Sequence, residues 1–233
     1  MPNSVDSLDL YARIEDMLEN REAIEGLYNT YAHFLSQRPF ASLLDVGCGS
    51  GAFLQGIREH VEGIDVLGVD LSGEMVRRAN ARGVPAKAVD VCELEGQFDA
   101  VTAVFDMVNY LAPDALKGFF ACIEARLASG GRFLFDVNTR FGFEHVAVGA
   151  YIVEDDTRFL AIDSDFENDI YRADFTLFSK NEGCYTRESQ RITQYYHPRK
   201  RLEKATSMKL VDAVDIELYG FGEPDKTIYI FEK

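Results

Sequence analysis

Apolar residues near the start of the chain recur every three to four positions, the spacing of one face of an α-helix. The series begins at Leu10 and ends at Leu35, with polar residues between its members. It predicts one or two amphipathic helices over Asp9–Leu35, and Pro39 closes the helical segment because proline disfavours a continuing helix. Residues 1–40 are therefore predicted to form an N-terminal helical lead-in.

Short apolar runs then alternate with helical periodicity, the pattern of parallel strands joined by crossover helices. The predicted strands are Ser42–Val46, Asp65–Asp70, Val84–Val89, Phe98–Val104 and Arg132–Val137. The predicted helices are Ala52–Val61, Gly73–Arg82 and Pro113–Ala128. The triplet Ser129-Gly130-Gly131 is a good stop signal for the last helix. This series of β/α units predicts a parallel sheet.

The periodicity changes beyond Asn138 to aromatic-rich segments that alternate every second residue, which is typical of antiparallel strands. These segments are Tyr151–Val153, Phe159–Asp163, Ile170–Ser179 and Tyr185–Tyr196. The triplet Asn181-Glu182-Gly183 predicts a hairpin turn between the last two. A helix over about Pro198–Lys209 and two strands, Ala213–Tyr219 and Thr227–Glu232, then return the chain to the main sheet.

Together these elements predict an α/β fold with a doubly wound, Rossmann-like, seven-stranded and mostly parallel sheet and an antiparallel β insertion. Residues 41–139 and 198–233 form the main domain in this prediction, and residues 140–197 form the insertion. With 233 residues and 47% hydrophobic content, the chain can bury one substantial core.

The formal net charge is −15, from 39 acidic and 24 basic residues. A negative surface repels a phosphate backbone, so nucleic acids and anionic membranes are poor candidate partners. An acidic surface commonly means only solubility, so the charge excludes partners better than it selects them. The expected partner is a small molecule, and the oligomeric state stays open.

Four widely spaced cysteines, Cys48, Cys92, Cys122 and Cys184, include no CxxC pair. This argues against a zinc knuckle or a secreted disulfide framework and favours a reducing cytoplasm. The opening MPNSVDSLDLYARIEDML lacks the basic start and apolar run of a signal peptide, and no stretch approaches the roughly 20 apolar residues of a membrane span. A cytoplasmic location is therefore expected.

The segment LLDVGCGSGAFL runs from a buried strand through Gly47, Gly49 and Gly51 into a helix. Glycines permit positive φ and close approach of a ligand to the backbone. The spacing of Gly47, Gly49 and Ala52 also fits the GxGxxG/A motif of dinucleotide-binding proteins. Asp45 distinguishes the two cases, because a carboxylate there repels a pyrophosphate but can hold the ammonium group of a methionyl ligand.

Two further acids stand at strand ends. Asp70 ends the second strand, where a carboxylate can accept hydrogen bonds from both hydroxyls of a ribose. Asp90 ends the third strand, where its side chain or the neighbouring Val91 and Cys92 can meet an adenine edge. Each acid taken alone is as readily a helix N-cap. Three acids at three successive strand ends favour a ligand site, since ligands bind at that edge of such sheets.

At this point the sequence resembles the class I S-adenosylmethionine-dependent methyltransferases. The matching motifs are LLDVGCGSG, GVDLSGEM, VDV, FDAVTAVFDMVNYL and LASGGRFLFDVN, which span residues 42–138 in order. The resemblance implies that S-adenosylmethionine is the cofactor, with its methionine part near Asp45 and the three glycines and its ribose on Asp70. It also implies that Leu71 and Val91 contact the faces of the adenine ring and that Asp90 binds the adenine amino group. The complete set of expected cofactor-binding residues is Asp45, Gly47, Cys48, Gly49, Gly51, Asp70, Leu71, Met75, Asp90, Val91 and Phe105.

The closing part, ESQRITQYYHP followed by VDAVDIELYG, is similar to a subgroup that acts on small molecules, including sugar-amine N-methyltransferases. In that subgroup the antiparallel insertion covers the substrate. The chain departs from the subgroup at KLVDAV, which replaces a small-residue Gly-Phe turn, and in its charged lead-in. The resemblance slightly favours an amine as methyl acceptor.

Residues after the fourth and fifth strands are expected near the transferring methyl group, because these strands end at the same edge of the sheet. Glu188 and Arg191 in the insertion are candidates by resemblance, although their strand can equally face solvent. His145 is the expected general base if the acceptor is an alcohol or an acid, whereas an amine needs only a carboxylate such as Asp106. The acceptor-side candidates are Asp106, Asn109, Tyr110, Asn138, Arg140, His145, Glu188 and Arg191. The insertion aromatics Tyr171, Phe175, Tyr185 and Tyr195 are expected to form the insertion's own core.

Two alternative functions share these features. An NAD-dependent oxidoreductase has the same glycine spacing and ribose acid, but Asp45 disfavours it. A non-catalytic S-adenosylmethionine-binding module keeps the fold, but the polar segment from Phe105 to Tyr110 and Asn138 argue mildly against it. No metal is expected, because His, Cys and carboxylate residues show no metal-ligand spacing.

Overall fold

The computed structural model describes residues 5–18 and 21–233. Residues 1–4, at the start of the segment without signal-peptide features, and residues 19 and 20 of the lead-in lie outside the described residues. The lead-in forms two helices, α1 (Val5–Leu18) and α2 (Arg21–Ser36), as the apolar spacing predicts. Among the described residues, no helix is both long and apolar enough to cross a bilayer.

The main domain follows the predicted alternation of strands and helices. Its elements are β1 (Ser42–Val46), α3 (Ala52–His60), β2 (Asp65–Asp70), α4 (Gly73–Ala81), β3 (Ala86–Ala88), β4 (Phe98–Ala103), a 3₁₀ turn (Met107–Tyr110), α5 (Leu116–Arg126) and β5 (Leu127–Asn138). After the insertion come α6 (Arg199–Ala205), β10 (Lys209–Ile216) and β11 (Lys226–Glu232).

These strands form one seven-stranded sheet in the order β10-β11-β5-β4-β1-β2-β3. Strands β1 to β5 are parallel, and β11 runs antiparallel between β5 and β10. This confirms the predicted seven-stranded, mostly parallel α/β fold. The order in which successive strands are added to the sheet reverses between β1 and β4. In this architecture, ligands bind at such a point, in the crevice at the carboxyl ends of the strands.

Several predicted boundaries are wrong, and two of them have an identifiable reason. The triplet Ser129-Gly130-Gly131 does not separate a helix from a strand, because α5 already ends at Arg126 and the triplet lies within β5. The register between β4 and β5 shifts across this triplet, from the Phe98–Leu127 pair to the Ala100–Arg132 pair, so the glycines form an irregularity in the strand. The closing helix is also shorter than predicted, since Lys209 already pairs with Glu232.

The insertion is a four-stranded antiparallel sheet in the order β6-β7-β8-β9. Its strands are β6 (Gly149–Glu154), β7 (Arg158–Glu167), β8 (Ile170–Asn181) and β9 (Cys184–Tyr195), and a π-helical segment (Gly142–Ala147) leads into them. The predicted hairpin turn is confirmed, with Glu182 at φ 45° and Gly183 at φ 87° between β8 and β9. Of the aromatics assigned to the insertion core, Phe175 is buried there and Tyr171 packs against it, whereas Tyr185 is 62% exposed.

The α1 helix packs on the insertion as well as on the main domain. Leu10 and Ile14 are buried in one cluster with Leu160, Leu177 and Ile192 of the insertion sheet. Two ion pairs, Arg13–Glu188 and Asp16–Arg158, join α1 to the same sheet. The lead-in is therefore part of the tertiary structure around the crevice.

Cys92 and Cys122 form a disulfide that the cysteine spacing does not predict. Their sulfur atoms are bonded, with the two Cα atoms 4.9 Å apart, although 30 residues separate them in sequence. The bond joins the loop after β3 to α5. A spacing rule based on CxxC pairs misses such a bridge, because the fold brings the two cysteines together.

Candidate cofactor and acceptor site

A cavity of about 560 Å³ opens at the carboxyl ends of the parallel strands. Its lining comes from the segments that follow β1, β2, β3 and β4, from the helices α1, α2 and α5, and from the loop between β10 and β11. This volume lies within the range of small-molecule binding sites. The cavity is therefore the candidate site that the strand-end acids predict.

The glycine loop after β1 brings backbone to the cavity wall. The N–H groups of Gly47 and Cys48 both donate to the carbonyl of Val69, which ties the loop to the end of β2. Gly47 has φ 73°, and a Cβ atom there would lie 2.6 Å from the Met107 side chain. Gly49 has φ 52°, but no atom lies within 4 Å of its Cβ position. The loop thus leaves room for a ligand directly against Gly49.

Asp45 lies behind this loop and is only 2% exposed. Its Oδ1 accepts a hydrogen bond from the Thr102 hydroxyl over 2.7 Å. Burial raises the pKa of Asp45 to about 7; the Thr102 hydrogen bond opposes this rise, and the Asp70 and Asp136 carboxylates add to it. A buried carboxylate with one neutral donor lacks a cation, and a ligand ammonium group would supply one.

Asp70 connects the second strand to the glycine loop. Its Oδ2 accepts from the Gly49 N–H over 2.9 Å and its Oδ1 from the Ser72 N–H over 2.8 Å. Burial raises the pKa of Asp70, and these backbone hydrogen bonds oppose the rise. The helix cap role belongs to Ser72, whose hydroxyl accepts from the Met75 N–H. Asp70 therefore does not cap α4, and its carboxylate lines the cavity.

The adenine-side candidates also line the cavity. Leu71 is 53% exposed, although it is a large apolar residue, whereas Val91 is buried. Both side chains line the cavity. Asp90 is exposed, and its Oδ1 accepts from the Cys92 N–H over 2.8 Å. This hydrogen bond gives Asp90 a local structural role. Within the described part of the chain, its Oδ2 accepts no hydrogen bond and is available to a ligand.

Ten of the eleven cofactor-binding candidates line this cavity. They are Asp45, Gly47, Cys48, Gly49, Asp70, Leu71, Met75, Asp90, Val91 and Phe105. Gly51 does not line it. A Cβ atom at Gly51 would lie 3.0 Å from the Cβ of Ala79, so this glycine permits α3 and α4 to pack closely. Its role in the structure is helix packing.

The donors and acceptors in the cavity fit S-adenosylmethionine better than a dinucleotide. Within the described residues of the lining, acids outnumber bases, with Arg82 as the single basic residue against Glu15, Asp45, Asp70, Asp90 and Asp106. A pyrophosphate needs cations or free N–H groups, whereas this lining offers carboxylates for an ammonium group and a ribose. The open backbone at Gly49 lies between these carboxylates.

The segment after β4 has an unusual backbone. Phe105 and Asp106 both have positive φ, 59° and 48°, which costs free energy for residues with a Cβ atom. Their N–H groups donate to the two oxygens of the Asp136 carboxylate, each over 2.8 Å. Tyr31 donates its hydroxyl hydrogen to the same carboxylate. Asp136 thus holds the strained turn in place, and the turn directs Asp106 to the cavity wall.

The Asp106 carboxylate is bound on both oxygens. Lys226 Nζ lies 2.5 Å from Oδ1, and Gln194 Nε2 donates to Oδ2 over 2.5 Å. Lys226 starts β11 and Gln194 belongs to β9, so three distant segments meet at one side chain. Neither partner is among the residues predicted from the sequence, because a lysine at the start of a strand gives no periodic signal of burial.

Three tyrosines line the cavity on the Asp106 side. They are Tyr11 of α1, Tyr110 of the 3₁₀ turn and Tyr219 of the β10–β11 loop. Burial raises the pKa of all three, and the Asp106 carboxylate adds to the rise. Only Tyr110 is among the predicted acceptor-side residues. The lead-in and the closing loop carry no motif, so Tyr11 and Tyr219 are visible only in three dimensions.

Asn109 and Asn138 lie next to the cavity without lining it. The fully buried Asn109 side chain donates to the Tyr195 carbonyl over 2.8 Å and accepts from the Asn138 N–H over 2.9 Å. Asn138 Oδ1 accepts from Lys226 Nζ. Asn109 therefore joins the 3₁₀ turn, β5 and the insertion.

The structure does not bring the other four acceptor-side candidates to the cavity lining. Arg140 pairs with Glu144 and Asp169, and His145 is exposed beside Phe141. The remaining two are Glu188, which pairs with Arg13, and Arg191, which pairs with Asp174. The Arg13–Glu188 pair joins α1 to β9, and the Arg191–Asp174 pair joins β9 to β8.

No group of three or more potential metal ligands occurs among the residues described. The expectation that activity needs no metal therefore stays a prediction, to be tested with chelators.

Known proteins match the chain over its main domain. Residues 43–131 match the family model of a methyltransferase domain. A protein of Geobacillus sp. (strain WCH70) named as a methyltransferase is 34% identical over 123 residues, which cover 49% of this chain and 49% of that protein. The chain spans about half the length of the curated relatives it matches.

Two solved structures share the fold over nearly the whole chain. An S-adenosylmethionine-dependent methyltransferase from Clostridium acetobutylicum ATCC 824 has a TM-score of 0.75 at 21% identity and covers 97% of this chain and 96% of its own. An amino pentose methyltransferase from Micromonospora echinaspora, bound to S-adenosylmethionine, has a TM-score of 0.69 at 22% identity over 100% and 98%. Residues 43–131 are thus similar to a methyltransferase domain, and the chain shares its fold with S-adenosylmethionine-dependent methyltransferases.

Proposed function

We propose that the protein transfers a methyl group from S-adenosylmethionine to the nitrogen of a small-molecule amine. The observation that carries this proposal is the Asp106 carboxylate, which lies in the cavity wall among three tyrosines and at the end of the strand next to the glycine loop. A carboxylate with surrounding aromatic rings is a recognised environment for an organic cation.

The cofactor half of the cavity is assigned to the acids and glycines at the ends of β1 to β3. Asp45 would pair with the amino-acid ammonium group, and its raised pKa would fall once that cation is present. Asp70 would accept from the ribose hydroxyls, and Leu71 and Val91 would contact the adenine. Phe105 and Asp106 then lie between this half and the tyrosines.

The chemistry at the acceptor is a displacement at carbon. The nitrogen lone pair forms the new N–C bond while the C–S bond of the sulfonium breaks and its electron pair stays on sulfur. Such a donor is already activated, so positioning and exclusion of water are what the protein must supply. The methylated product is an ammonium ion, which Asp106 can hold until its proton passes to solvent.

The enclosure of the cavity favours a small acceptor. Tyr11 and Glu15 of α1 form part of its wall, and α1 is held to the insertion by Arg13 and Asp16. We propose an amino sugar as one acceptor of suitable size. Support comes from the shared fold with the amino pentose methyltransferase, which at 22% identity is an argument from fold.

A two-stage experiment tests the proposal. Calorimetric titration with S-adenosylhomocysteine should give binding that Asp70→Ala removes and that Arg191→Ala leaves unchanged. The protein is then incubated with methyl-labelled S-adenosylmethionine and matched acceptor pairs, such as an amino sugar and the parent sugar with a hydroxyl at the same carbon. Labelling of the amine alone is expected.

Three outcomes contradict the proposal in distinguishable ways. Absence of cofactor binding by the unaltered protein rejects the methyltransferase function. Binding with no turnover of any acceptor supports a non-catalytic module. Preferential labelling of hydroxyl acceptors rejects the amine.

A further inference from the structure

Lys226 is a charged side chain that is almost fully buried next to the acceptor half of the cavity, at 1% exposure. Its Nζ lies 2.5 Å from Asp106 Oδ1, 2.9 Å from Asn138 Oδ1 and 3.1 Å from Asp136 Oδ2. Three acceptors match the three donors of an ammonium group. Lysine is almost never buried to this extent unless it is paired, so the position requires explanation.

Lys226 stays charged in this environment. Burial lowers the pKa of Lys226, but the carboxylates of Asp106 and Asp136 more than compensate, so the pKa lies above its ordinary value. Asp136 does not depend on this cation alone, because two backbone N–H groups and the Tyr31 hydroxyl also donate to it. For Asp106, the partners are Lys226 and the neutral amide of Gln194.

We propose that Lys226 is a positioning residue that keeps Asp106 ionised and fixed in orientation at the acceptor subsite. The inference rests on the proposed function for its consequence, since a fixed carboxylate holds an ammonium ion. Both oxygens of the Asp106 carboxylate already accept hydrogen bonds, from Lys226 and from Gln194. We therefore assign Asp106 to holding the acceptor cation, and the amine loses its proton to solvent.

The groups that face Asp106 come from every element packed around it. The charged ones are Lys226 of β11 and Asp136 of β5. The titratable tyrosines are Tyr11, Tyr110, Tyr171 and Tyr219, and the neutral partner is Gln194. Tyrosines are neutral at physiological pH at their ordinary pKa of 10.0, and burial raises the pKa of each of these further. Among these described neighbours, Lys226 is the cation that opposes protonation of Asp106.

Carboxyl-carbon NMR of protein labelled with [γ-¹³C]aspartate tests this without a known acceptor. The Asp106 signal is assigned by its loss in Asp106→Asn. In Lys226→Met, acidification should move this signal toward its protonated position at a pH higher by about one unit or more than in the unaltered protein. Lys226→Arg retains the charge and should restore the original titration. Lys233→Met, which removes an amine bonded to the Leu127 carbonyl, is the matched control and should change nothing.

Calorimetry with S-adenosylhomocysteine accompanies the NMR. Affinity within about threefold of the unaltered protein is expected for Lys226→Met, which separates a local effect from loss of the fold. Identical titration of Asp106 in Lys226→Met and the unaltered protein would overturn the proposal. If Lys226→Met does not fold, Lys226→Gln replaces it, and failure of both to fold assigns Lys226 to the scaffold and rejects a positioning role. Lack of ligand binding by the unaltered protein rejects only the proposed function, because the titration still decides the role of Lys226.

Discussion

Asp45 and Thr102 lie directly opposite each other on the adjacent parallel strands β1 and β4, and the Thr102 hydroxyl donates to the Asp45 carboxylate over 2.7 Å. The pair is fully buried at the floor of the cavity. One neutral hydrogen bond does not offset the loss of water around a carboxylate, so the pKa of Asp45 rises to about 7. Asp45 is therefore poised to change charge near neutral pH.

This pKa makes a prediction for stability without ligand. The folded-state pKa lies above the ordinary value of 3.8, so the folded protein binds this proton more tightly than the unfolded chain does. The resulting stabilisation is fully present below about pH 4 and is lost as the pH rises through about 7. Because a shift of about three units corresponds to roughly 4 kcal/mol, Asp45→Asn should gain up to that amount relative to the unaltered protein between pH 4 and pH 8.

Urea unfolding at a series of pH values measures this difference. Subtracting the variant from the unaltered protein isolates Asp45, because the other carboxylates titrate in both. Asp90→Asn is the control, since Asp90 is exposed. A parallel pH dependence in Asp45→Asn and the unaltered protein would show that Asp45 does not titrate in this range.

Ligand binding should depend on pH in the opposite sense. If a ligand ammonium group pairs with Asp45, the ligand prefers the ionised carboxylate, and binding below about pH 7 must release a proton. We expect the affinity for S-adenosylhomocysteine to rise from pH 6 to pH 8. Calorimetry in buffers of different ionisation enthalpy counts the released proton. The proton release should disappear in Asp45→Asn, and its persistence there would place the ammonium group elsewhere.

Gly49 offers a test of where the ligand lies. Gly49→Ala imposes a side chain at φ 52°, which costs about 1–2 kcal/mol, and its Cβ atom would extend into open space in the cavity. We expect this loss of stability together with a drop of at least about tenfold in S-adenosylhomocysteine affinity, which corresponds to about 1.4 kcal/mol. The measurements are urea unfolding and calorimetry.

Gly63 provides the matched control. It has φ 76° with no atom within 4 Å of its Cβ position, and it does not line the cavity. Gly63→Ala should therefore show a similar loss of stability with unchanged affinity. Equal effects of the two variants on affinity would mean that backbone strain alone, and not contact with the ligand, explains the Gly49 result.

The fold could be predicted because its signals are local and repeated. The β/α alternation over residues 42–138 and the period-two segments of the insertion each depend on short-range periodicity. The predictions that failed depend on long-range pairing. Gly130 and Gly131 lie within β5 because their backbone groups form hydrogen bonds with the backbone of Lys233. The Cys92–Cys122 bond joins two segments that are far apart in sequence and share no pattern.

The candidate site divides in the same way. The cofactor-binding candidates follow a strand–turn pattern, and ten of the eleven line the cavity. Gly51 does not line it, because a glycine that permits close helix packing and a glycine that contacts a ligand have the same sequence pattern. The acceptor side is assembled from α1, β9, β11 and a loop. Lys226 and Tyr219 belong to no sequence motif, whereas the exposed Arg191 was a candidate only by resemblance to a family subgroup.

Asn109 and Arg191 give a final test, because both are acceptor-side candidates in the sequence analysis and the structure places them differently. The Asn109 amide is buried and bridges the Tyr195 carbonyl and the Asn138 N–H. Asn109→Ala leaves both backbone groups without this partner, so the free energy of unfolding should fall by about 2–3 kcal/mol. Arg191 is exposed and pairs with Asp174 at the surface, so Arg191→Ala should leave the unfolding midpoint unchanged. Urea unfolding compares the two variants, and a stable Asn109→Ala protein that loses only acceptor turnover would instead place Asn109 in contact with substrate.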